Sequence, residues 1–156
     1  MDNPDAKSGK SRVYVDMVGD LFHAGHISFL RAAQCYGDWL IVGVLSDDTA
    51  ASYKRRPIMS LAERVAVIES CRYVDEVVEN APCQVSEEFL AEHDITIVVH
   101  GDDISPHDAE TWYGSAAAAG KLQFVRYTAG ISTSELIARI LEANSSDSRS
   151  ASRFEP

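Results

Sequence analysis

VYVDMVGDLFHAGH, residues 13–26, joins an apolar run, a Gly-Asp pair and two histidines three residues apart. The apolar run predicts a β-strand, and the amphipathic residues after His26 predict a helix. His26 would then lie in the first turn of that helix, where free N–H groups and the helix dipole favour an anion. Gly25 leaves room for a phosphate to approach the backbone. With His23, the pair could donate hydrogen bonds to phosphate oxygens and stabilise charge during phosphoryl or nucleotidyl transfer.

Two other interpretations of the histidine pair are weighed against a phosphate site. Histidines at this spacing can bind zinc, but no Cys, Asp or Glu lies at a supporting spacing nearby. They could also be incidental residues at a helix start. The glycine between them and the strand before them favour a site, and we predict no metal ion held by the protein itself.

Composition bounds the class of protein. The 156 residues suffice for one domain, with 46% hydrophobic residues. A formal net charge of −10 argues against nonspecific nucleic-acid binding, although a local basic cluster could still bind a nucleotide. No apolar run has the length of a membrane span, and the first twelve residues lack the apolar core of a signal peptide. Three scattered cysteines indicate reduced thiols. We therefore predict a cytoplasmic protein that binds neither nucleic acid nor membranes.

Strand and helix patterns alternate along the chain, which predicts an α/β fold with a Rossmann-like parallel sheet and helices on both faces. Residues 1–11 are expected to form a disordered tail, residues 12–143 the domain, and residues 144–156 a serine-rich linker or tail. The predicted strands are 12–17, 39–45, 74–78, 95–99 and 122–125. The predicted helices are 25–36, 60–71, 87–93, 108–119 and 132–144, with 46–53 a polar segment.

Polar clusters follow the ends of four predicted strands. They are residues 19–26, 46–56, 100–103 and 126–134. Ligands of parallel α/β sheets bind at the carboxyl ends of the strands, so we expect these clusters to form one composite site.

Several of these segments resemble a known family. DLFHAGH, residues 20–26, resembles the HxGH signature of the nucleotidyltransferase superfamily, and RYTAGISTS, residues 126–134, resembles the RTxGIST motif of its cytidylyltransferase branch. CRYVDEV, residues 71–77, and HGDD, residues 100–103, also resemble that branch. The four blocks come in the family's order, and the resemblance is to choline- and ethanolamine-phosphate cytidylyltransferases and to bacterial phosphonate cytidylyltransferase domains.

The resemblance implies the HxGH nucleotidyltransferase fold and a reaction in which CMP passes from CTP to a small phosphomonoester or phosphonate, with pyrophosphate released. It implies that Mg²⁺ arrives on CTP. The residues expected to be catalytic are His23, His26, Lys54 and Arg126. Those expected to bind the nucleotide are Gly19, Asp20, Phe22, Gly25, His100, Gly101, Asp103, Gly130, Ile131, Ser132 and Thr133.

Each implied role has a structural alternative. The basic run at Lys54 could be a solvated charged loop, and its three cations leave the register on the phosphates open. The HGDD segment could be a polar turn, and Ser132 could be a helix N-cap without a ligand. The family's threonine after the arginine is Tyr127 in this chain.

Three residues are expected at the acceptor. Asp16 matches an acidic residue that the choline and ethanolamine enzymes place near the cationic head group. Arg72 is implied near the acceptor phosphate, although a structural salt bridge is an alternative. Cys83 replaces an aromatic residue, which weakens choline as acceptor because aromatic faces hold quaternary ammonium groups. Met17 and Gly19 also depart from the family pattern, and we expect them to remodel the pocket wall. These departures favour ethanolamine phosphate or a hydroxyalkyl phosphonate.

Two other functions remain open at this point. One is an adenylyltransferase of the same fold. The other is a nucleotide-sensing domain of a larger protein, an alternative suggested by the serine-rich segment, which could lead to a second domain. By analogy with the family we expect a homodimer.

Overall fold

The computed structural model describes residues 9–151, which form a parallel sheet with flanking helices. The strands are β1 (Arg12–Met17), β2 (Trp39–Val44), β3 (Glu76–Glu79), β4 (Ile97–Gly101) and β5 (Leu122–Val125). The helices are α1 (Ala24–Gln34), α2 (Asp47–Tyr53), α3 (Leu61–Glu69), α4 (Glu87–Glu92), α5 (Pro106–Ala118) and α6 (Thr133–Ala151). The sheet order is β3-β2-β1-β4-β5, and every pair is parallel. The predicted fold class is confirmed.

Two hydrophobic clusters cover opposite faces of the sheet. Side chains alternate along a strand, so Val13 and Tyr14 of β1 point to different faces. Val13 packs with residues of α1 and α3, among them Leu30 and Ile68. Tyr14 packs with residues of α4 and α5, including Phe89. Because both faces are buried, the strands are continuous apolar runs, as in β2.

Serine residues cap five of the helices within residues 9–151, namely α6, through Ser132, and four others. Ser46, Ser60, Ser86 and Ser105 each accept a hydrogen bond from a backbone N–H in the first turn of the helix that follows. The carboxylate of Glu63 in turn accepts the N–H of Ser60, which confirms the predicted capping box.

The topology places a crevice beside β1. The chain builds β2 and β3 on one side of β1 and then crosses to build β4 and β5 on the other. Such a switch point is where ligands bind in open α/β sheets, outside the carboxyl ends of the strands.

Several boundaries differ from the prediction. The polar segment 46–53 contains helix α2, because the Ser46 cap and two acidic residues in its first turn outweigh the weak apolar pattern. Strand β4 begins at Ile97 rather than Ile95, since the N–H of Ile95 bonds to Leu90 of the preceding helix. Helix α6 runs to Ala151, so it includes part of the segment that was expected to be a linker.

The remaining terminal predictions fall partly outside the structure. Residues 1–8 of the expected tail and residues 152–156 of the expected linker lie outside the described residues. Within residues 9–151, every helix is too short or too polar to cross a bilayer.

Candidate active site

A cleft of about 940 Å³ opens at the carboxyl ends of the strands. It brings together all four polar clusters that follow the strands. The predicted residues that line it are Asp16, Gly19, Asp20, His23, Gly25, His26, Lys54, Cys83, His100, Gly101, Asp103, Arg126, Ile131, Ser132 and Thr133. One composite site is thus formed.

The two histidines cap helix α1. His23 is the N-cap residue, and its Nδ1 accepts the N–H of Gly25 at 3.0 Å. The Nδ1 of His26 accepts the N–H of His23 at 3.1 Å. This is the capping-box arrangement, with histidine in both the Ser/Thr and the Glu positions. The cap fixes both rings at the start of the helix.

This bonding decides the tautomer of each ring. A nitrogen that accepts a hydrogen bond carries no proton, so each neutral imidazole holds its proton on Nε2. Burial lowers the pKa of His23, and burial together with His23 and Lys54 lowers the pKa of His26 to about 4. Both histidines are therefore neutral at pH 7, and each keeps an Nε2–H to donate to a ligand.

Glycine is required at one position of the loop before α1, Gly19, and at one position in the first turn of α1, Gly25. A Cβ on Gly25 would lie 2.8 Å from a ring carbon of His23, so a side chain would displace the imidazole. Gly19 has a φ of +70°, and its Cβ would lie 2.7 Å from Ile68. The side chain of Met17 packs against the core cluster beside Gly19, at 3.6 Å from that Cβ position. Met17 and Gly19, the two departures from the family pattern, are therefore neighbours in the wall of the cleft.

The three basic residues of the loop have different surroundings, and both Lys54 and Arg55 line the cleft. Arg56 pairs with Asp48 at 3.1 Å and does not line the cleft, and Arg55 pairs with Asp20 at 3.3 Å. Lys54 lines the cleft and has no carboxylate partner among residues 9–151. Lys54 is therefore the cation of this loop that is available to a phosphate.

Asp20 holds the basic loop in place. Its carboxylate accepts the N–H groups of Ile58 and Met59, both at 2.9 Å, besides the Arg55 guanidinium. Burial alone would raise the pKa of Asp20, but these donors lower it overall. Asp20 thus positions the basic loop, and its direct contact with a nucleotide stays a prediction.

The segment after β5 provides a second cation. Arg126 lines the cleft and has no carboxylate partner within the described part of the chain. Counted back from Gly130, Tyr127 takes the place of the arginine of the RTxGIST motif and Thr128 that of its threonine, so the expected match of Tyr127 to the threonine was off by one residue. The N–H of Tyr127 bonds to Asp102 at 2.8 Å. Arg126 therefore enters the cleft from one residue earlier, directly after the last strand.

The start of α6 is tied to the histidine loop. Thr133 donates its hydroxyl to the carbonyl of Asp20 at 2.9 Å. The Ser132 hydroxyl accepts the N–H of Glu135, so the N-cap alternative is observed, although Ser132 also lines the cleft. Gly130 has a φ of +96° and forms the turn before the helix without lining the cleft.

The HGDD segment ends β4 inside the cleft. Nδ1 of His100 lies 2.9 Å from the carbonyl oxygen of Gly101. A Cβ on Gly101 would lie 2.6 Å from the carboxylate of Asp103, so this glycine allows the Asp103 side chain to fold back. The exposed carboxylate of Asp103 is free to accept hydroxyl groups of a ligand.

A second subsite surrounds Asp16 at the end of β1. Tyr113 donates its hydroxyl to Asp16 at 2.6 Å, and helix α5 is distorted at Tyr113 (φ −126°, ψ 15°). Burial raises the pKa of Asp16 to about 6, against the opposing effects of Tyr113 and His100. Burial and the neighbouring Asp16 raise the pKa of the Cys83 thiol. The subsite thus holds a carboxylate that lacks a cationic side chain bound to it among residues 9–151.

Aromatic rings complete this subsite. Tyr53 and Trp112 line the cleft and contact each other edge to face, with ring centroids 5.2 Å apart. Tyr113 lies 5.2 Å from the ring of His100. An acidic group beside several aromatic faces is suited to an organic cation.

Sequence reasoning missed four residues of the site. Tyr53, Trp112 and Tyr113 were not predicted, although adjacent aromatics in a helix of small and polar residues were a signal. The sequence assigned no role to Arg64, yet its side chain is fully buried and donates to three backbone carbonyls.

Besides Gly130, two predicted residues do not line the cleft. Arg72 is exposed, and its guanidinium lies 5.8 Å from the ring of Tyr73 rather than in the cleft, because the turn after α3 faces outward. Phe22 stacks on His26 at 5.2 Å and packs against the core, so it supports the histidine from behind. Neither side chain lines the cleft, and their contacts with acceptor and nucleotide stay predictions.

The chain is similar to proteins of one known family. The profile of the family described as "Cytidylyltransferase-like" matches residues 19–139. Ethanolamine-phosphate cytidylyltransferase of Dictyostelium discoideum is 42% identical over 131 residues, 83% of this chain and 36% of that protein. Choline-phosphate cytidylyltransferase A of Homo sapiens is 44% identical over 134 residues, 83% of this chain and 36% of that protein. The chain thus spans about a third of the length of these relatives.

A solved structure has the same fold. The lipopolysaccharide core biosynthesis protein from Thermoplasma volcanium GSS1 superposes with a TM-score of 0.64 at 28% identity. The match covers 77% of this chain and 98% of that one.

Proposed function

Since the chain belongs to the cytidylyltransferase-like family, we propose that it transfers CMP from CTP to a small phosphorylated or phosphonate acceptor and releases pyrophosphate. One observation carries the proposal: two neutral histidines, each with a free Nε2–H, face the same cleft as Lys54 and Arg126. Neutral donors beside unpaired cations suit the charge that builds up on a reacting triphosphate.

The proposed reaction is a single in-line displacement. An oxygen of the acceptor attacks the α-phosphorus of CTP, and the bond from the α-phosphorus to the bridging oxygen breaks. Pyrophosphate leaves with the bond's electrons. The histidines donate to the α-phosphate oxygens and to the leaving group, while Lys54 and Arg126 neutralise the remaining charge. Mg²⁺ enters on the triphosphate, since no three His, Cys, Asp or Glu side chains converge as a metal site among residues 9–151.

The acceptor end of the cleft supports a cationic head group. Asp16 supplies a carboxylate that is bonded to the Tyr113 hydroxyl, and Tyr53 and Trp112 supply aromatic rings in the same cleft. Cys83 replaces an aromatic residue of the family, and the indole of Trp112 in α5 supplies an aromatic ring in the same cleft. This favours ethanolamine phosphate, and the relatives named for ethanolamine phosphate and choline phosphate support it.

A hydroxyalkyl phosphonate is the second candidate acceptor. The observation in its favour is Cys83, a small side chain that lines the cleft beside Asp16. Such an acceptor has no positive charge to pair with Asp16, and its hydroxyl group would donate a hydrogen bond to the carboxylate instead.

The deciding experiment measures pyrophosphate release with Mg²⁺ and CTP. The acceptor panel is ethanolamine phosphate, choline phosphate, glycerol 3-phosphate and 2-hydroxyethylphosphonate, and ATP replaces CTP in a parallel series. We expect turnover with CTP and ethanolamine phosphate. Faster turnover with ATP would favour the adenylyltransferase, and an unchanged biological activity of His26→Ala would favour a sensing domain.

Trp112→Ala tests the head-group subsite. We expect it to raise the KM for ethanolamine phosphate about 10-fold, the effect of losing one cation–π contact in a partly desolvated site. The KM for CTP serves as the internal control and should change less than about twofold. An equal change in both constants would refute a specific role for the indole.

Three other features belong to the proposal. The homodimer rests on analogy with the family, the cytoplasmic location on composition, and the fusion to a second domain after α6 on the serine-rich segment. The molar mass in solution, measured by light scattering, tests the dimer.

A further inference from the structure

The geometry points to Arg64 as a positioning residue that holds Lys54 at the triphosphate. This inference rests on the proposed function, because it concerns the same phosphate subsite. Arg64 does not line the cleft, and no step of the reaction described above uses it. Its side chain is nevertheless fully buried, which is costly for a guanidinium unless its donors are paired.

The bonds of Arg64 connect the segments that form the cleft. Its Nη1 donates to the carbonyl of Val18, in the loop before the histidines, and to that of Leu45 after β2, at 2.5 and 2.9 Å. Its Nε donates to the carbonyl of Met59 at 3.1 Å. Its Nη2 donates to Asp47, in the first turn of α2, at 2.6 Å.

Lys54 lies between two of these anchors. It is the C-cap residue of α2, so Asp47 anchors the helix that precedes it. Met59 lies five residues further along, where the basic loop ends. Arg64 therefore fixes the segment on both sides of Lys54 with a single rigid fork.

Asp20 completes the arrangement from the histidine loop. It accepts the N–H groups of Ile58 and Met59, so Met59 is bonded through its N–H to Asp20 and through its carbonyl to Arg64. Two buried charged groups thus set the position of the basic loop relative to the histidines. A guanidinium offers the planar set of donors that these four acceptors need, whereas a lysine does not.

The test is a double-mutant cycle between Asp47→Asn and Lys54→Met, with Arg64→Lys as a second variant on the same contact. In a protein with Lys54, we expect Asp47→Asn to lower kcat/KM for CTP about 10-fold and Arg64→Lys about 10- to 100-fold, as misplacement of a binding group does. In the Lys54→Met protein, we expect either change to have less than about a twofold effect, because the group that it positions is gone.

Asp48→Asn is the matched control. Asp48 is the next residue of the same helical turn and also pairs with an arginine, but that arginine lies outside the cleft. We expect kcat/KM for CTP to stay within about twofold of the wild type in Asp48→Asn.

The outcomes are distinct. Equal losses with and without Lys54, or an equal loss in Asp48→Asn, would overturn the inference. If Arg64→Lys does not fold, Asp47→Asn decides the question alone, since Asp47 is partly exposed. CTP affinity, measured by calorimetry across the same cycle, supplies a readout that needs no acceptor. Tight CTP binding with the expected cycle but without turnover would refute the proposed reaction and leave the role of Arg64 supported.

Discussion

Asp16→Asn is expected to stabilise the protein at neutral pH while impairing the acceptor subsite. Burial raises the pKa of Asp16 from 3.8 to about 6. The folded protein thus holds this proton more tightly than the unfolded chain, and ionisation of Asp16 opposes folding. The penalty is absent below pH 3.8, grows as the pH rises to 6, and is constant above that.

The structure sets the size of the effect. The interval from 3.8 to about 6 corresponds to at most about 3 kcal/mol, and the carboxylate keeps some contact with the open cleft, so we expect about 1–3 kcal/mol. Asparagine keeps an oxygen to accept the Tyr113 hydroxyl and carries no charge. The variant should therefore gain this free energy of unfolding without losing the hydrogen bond.

Urea unfolding at pH 7.5 and at pH 4 measures the difference. We expect Asp16→Asn to be more stable than the wild type at pH 7.5 and similar to it at pH 4. Ethanolamine phosphate should stabilise the wild type and have little effect on the variant. Asp103→Asn, which removes an exposed carboxylate of the same cleft, is the control and should change stability by less than about 0.5 kcal/mol.

A gain that is equal at both pH values would refute the reasoning, because it would not come from ionisation. A loss of stability at pH 7.5 would show that the carboxylate is satisfied in the free protein. Either result would also weaken the case for a cationic head group at Asp16.

Three further predictions concern the rings of the site. His26→Ala should lower kcat about 10²–10³-fold, the usual effect of removing one preorganised donor, and steady-state kinetics measures this loss. The same variant should lower the free energy of unfolding by about 1 kcal/mol, because the capping box is lost, and urea unfolding measures this change. Tyr14→Phe should leave stability unchanged or raise it by up to about 1 kcal/mol, because the Tyr14 hydroxyl is buried without a hydrogen-bond partner in the described structure. Tyr113→Phe, its matched counterpart, should destabilise the protein by about 1–3 kcal/mol at pH 7.5, since Asp16 loses its donor; if the two tyrosine variants were equally stable by thermal unfolding, the hydrogen bond to Asp16 would be unimportant.

The sequence was sufficient for the parts of the fold that depend on local pattern. Continuous apolar runs such as β2, and the Ser60–Glu63 capping box, have the same signature wherever they occur. It failed at α2, because a seven-residue helix with a weak apolar face depends on its cap and on the Arg64 contact with Asp47.

The same distinction between local pattern and tertiary packing applies to the candidate site. The sequence by itself determined the histidine pair, the glycine between them and the convergence of four clusters, because strand ends of a parallel sheet share one edge. Tertiary structure alone decided which cation of the basic loop is free, that Arg72 lies outside the cleft, and that Arg64 is buried. It also brought Tyr113 to Asp16 across 97 residues of chain. A charged or aromatic side chain looks the same in a sequence whether it meets solvent, a carboxylate or a backbone carbonyl, and only the packing of distant segments determines which of these it meets.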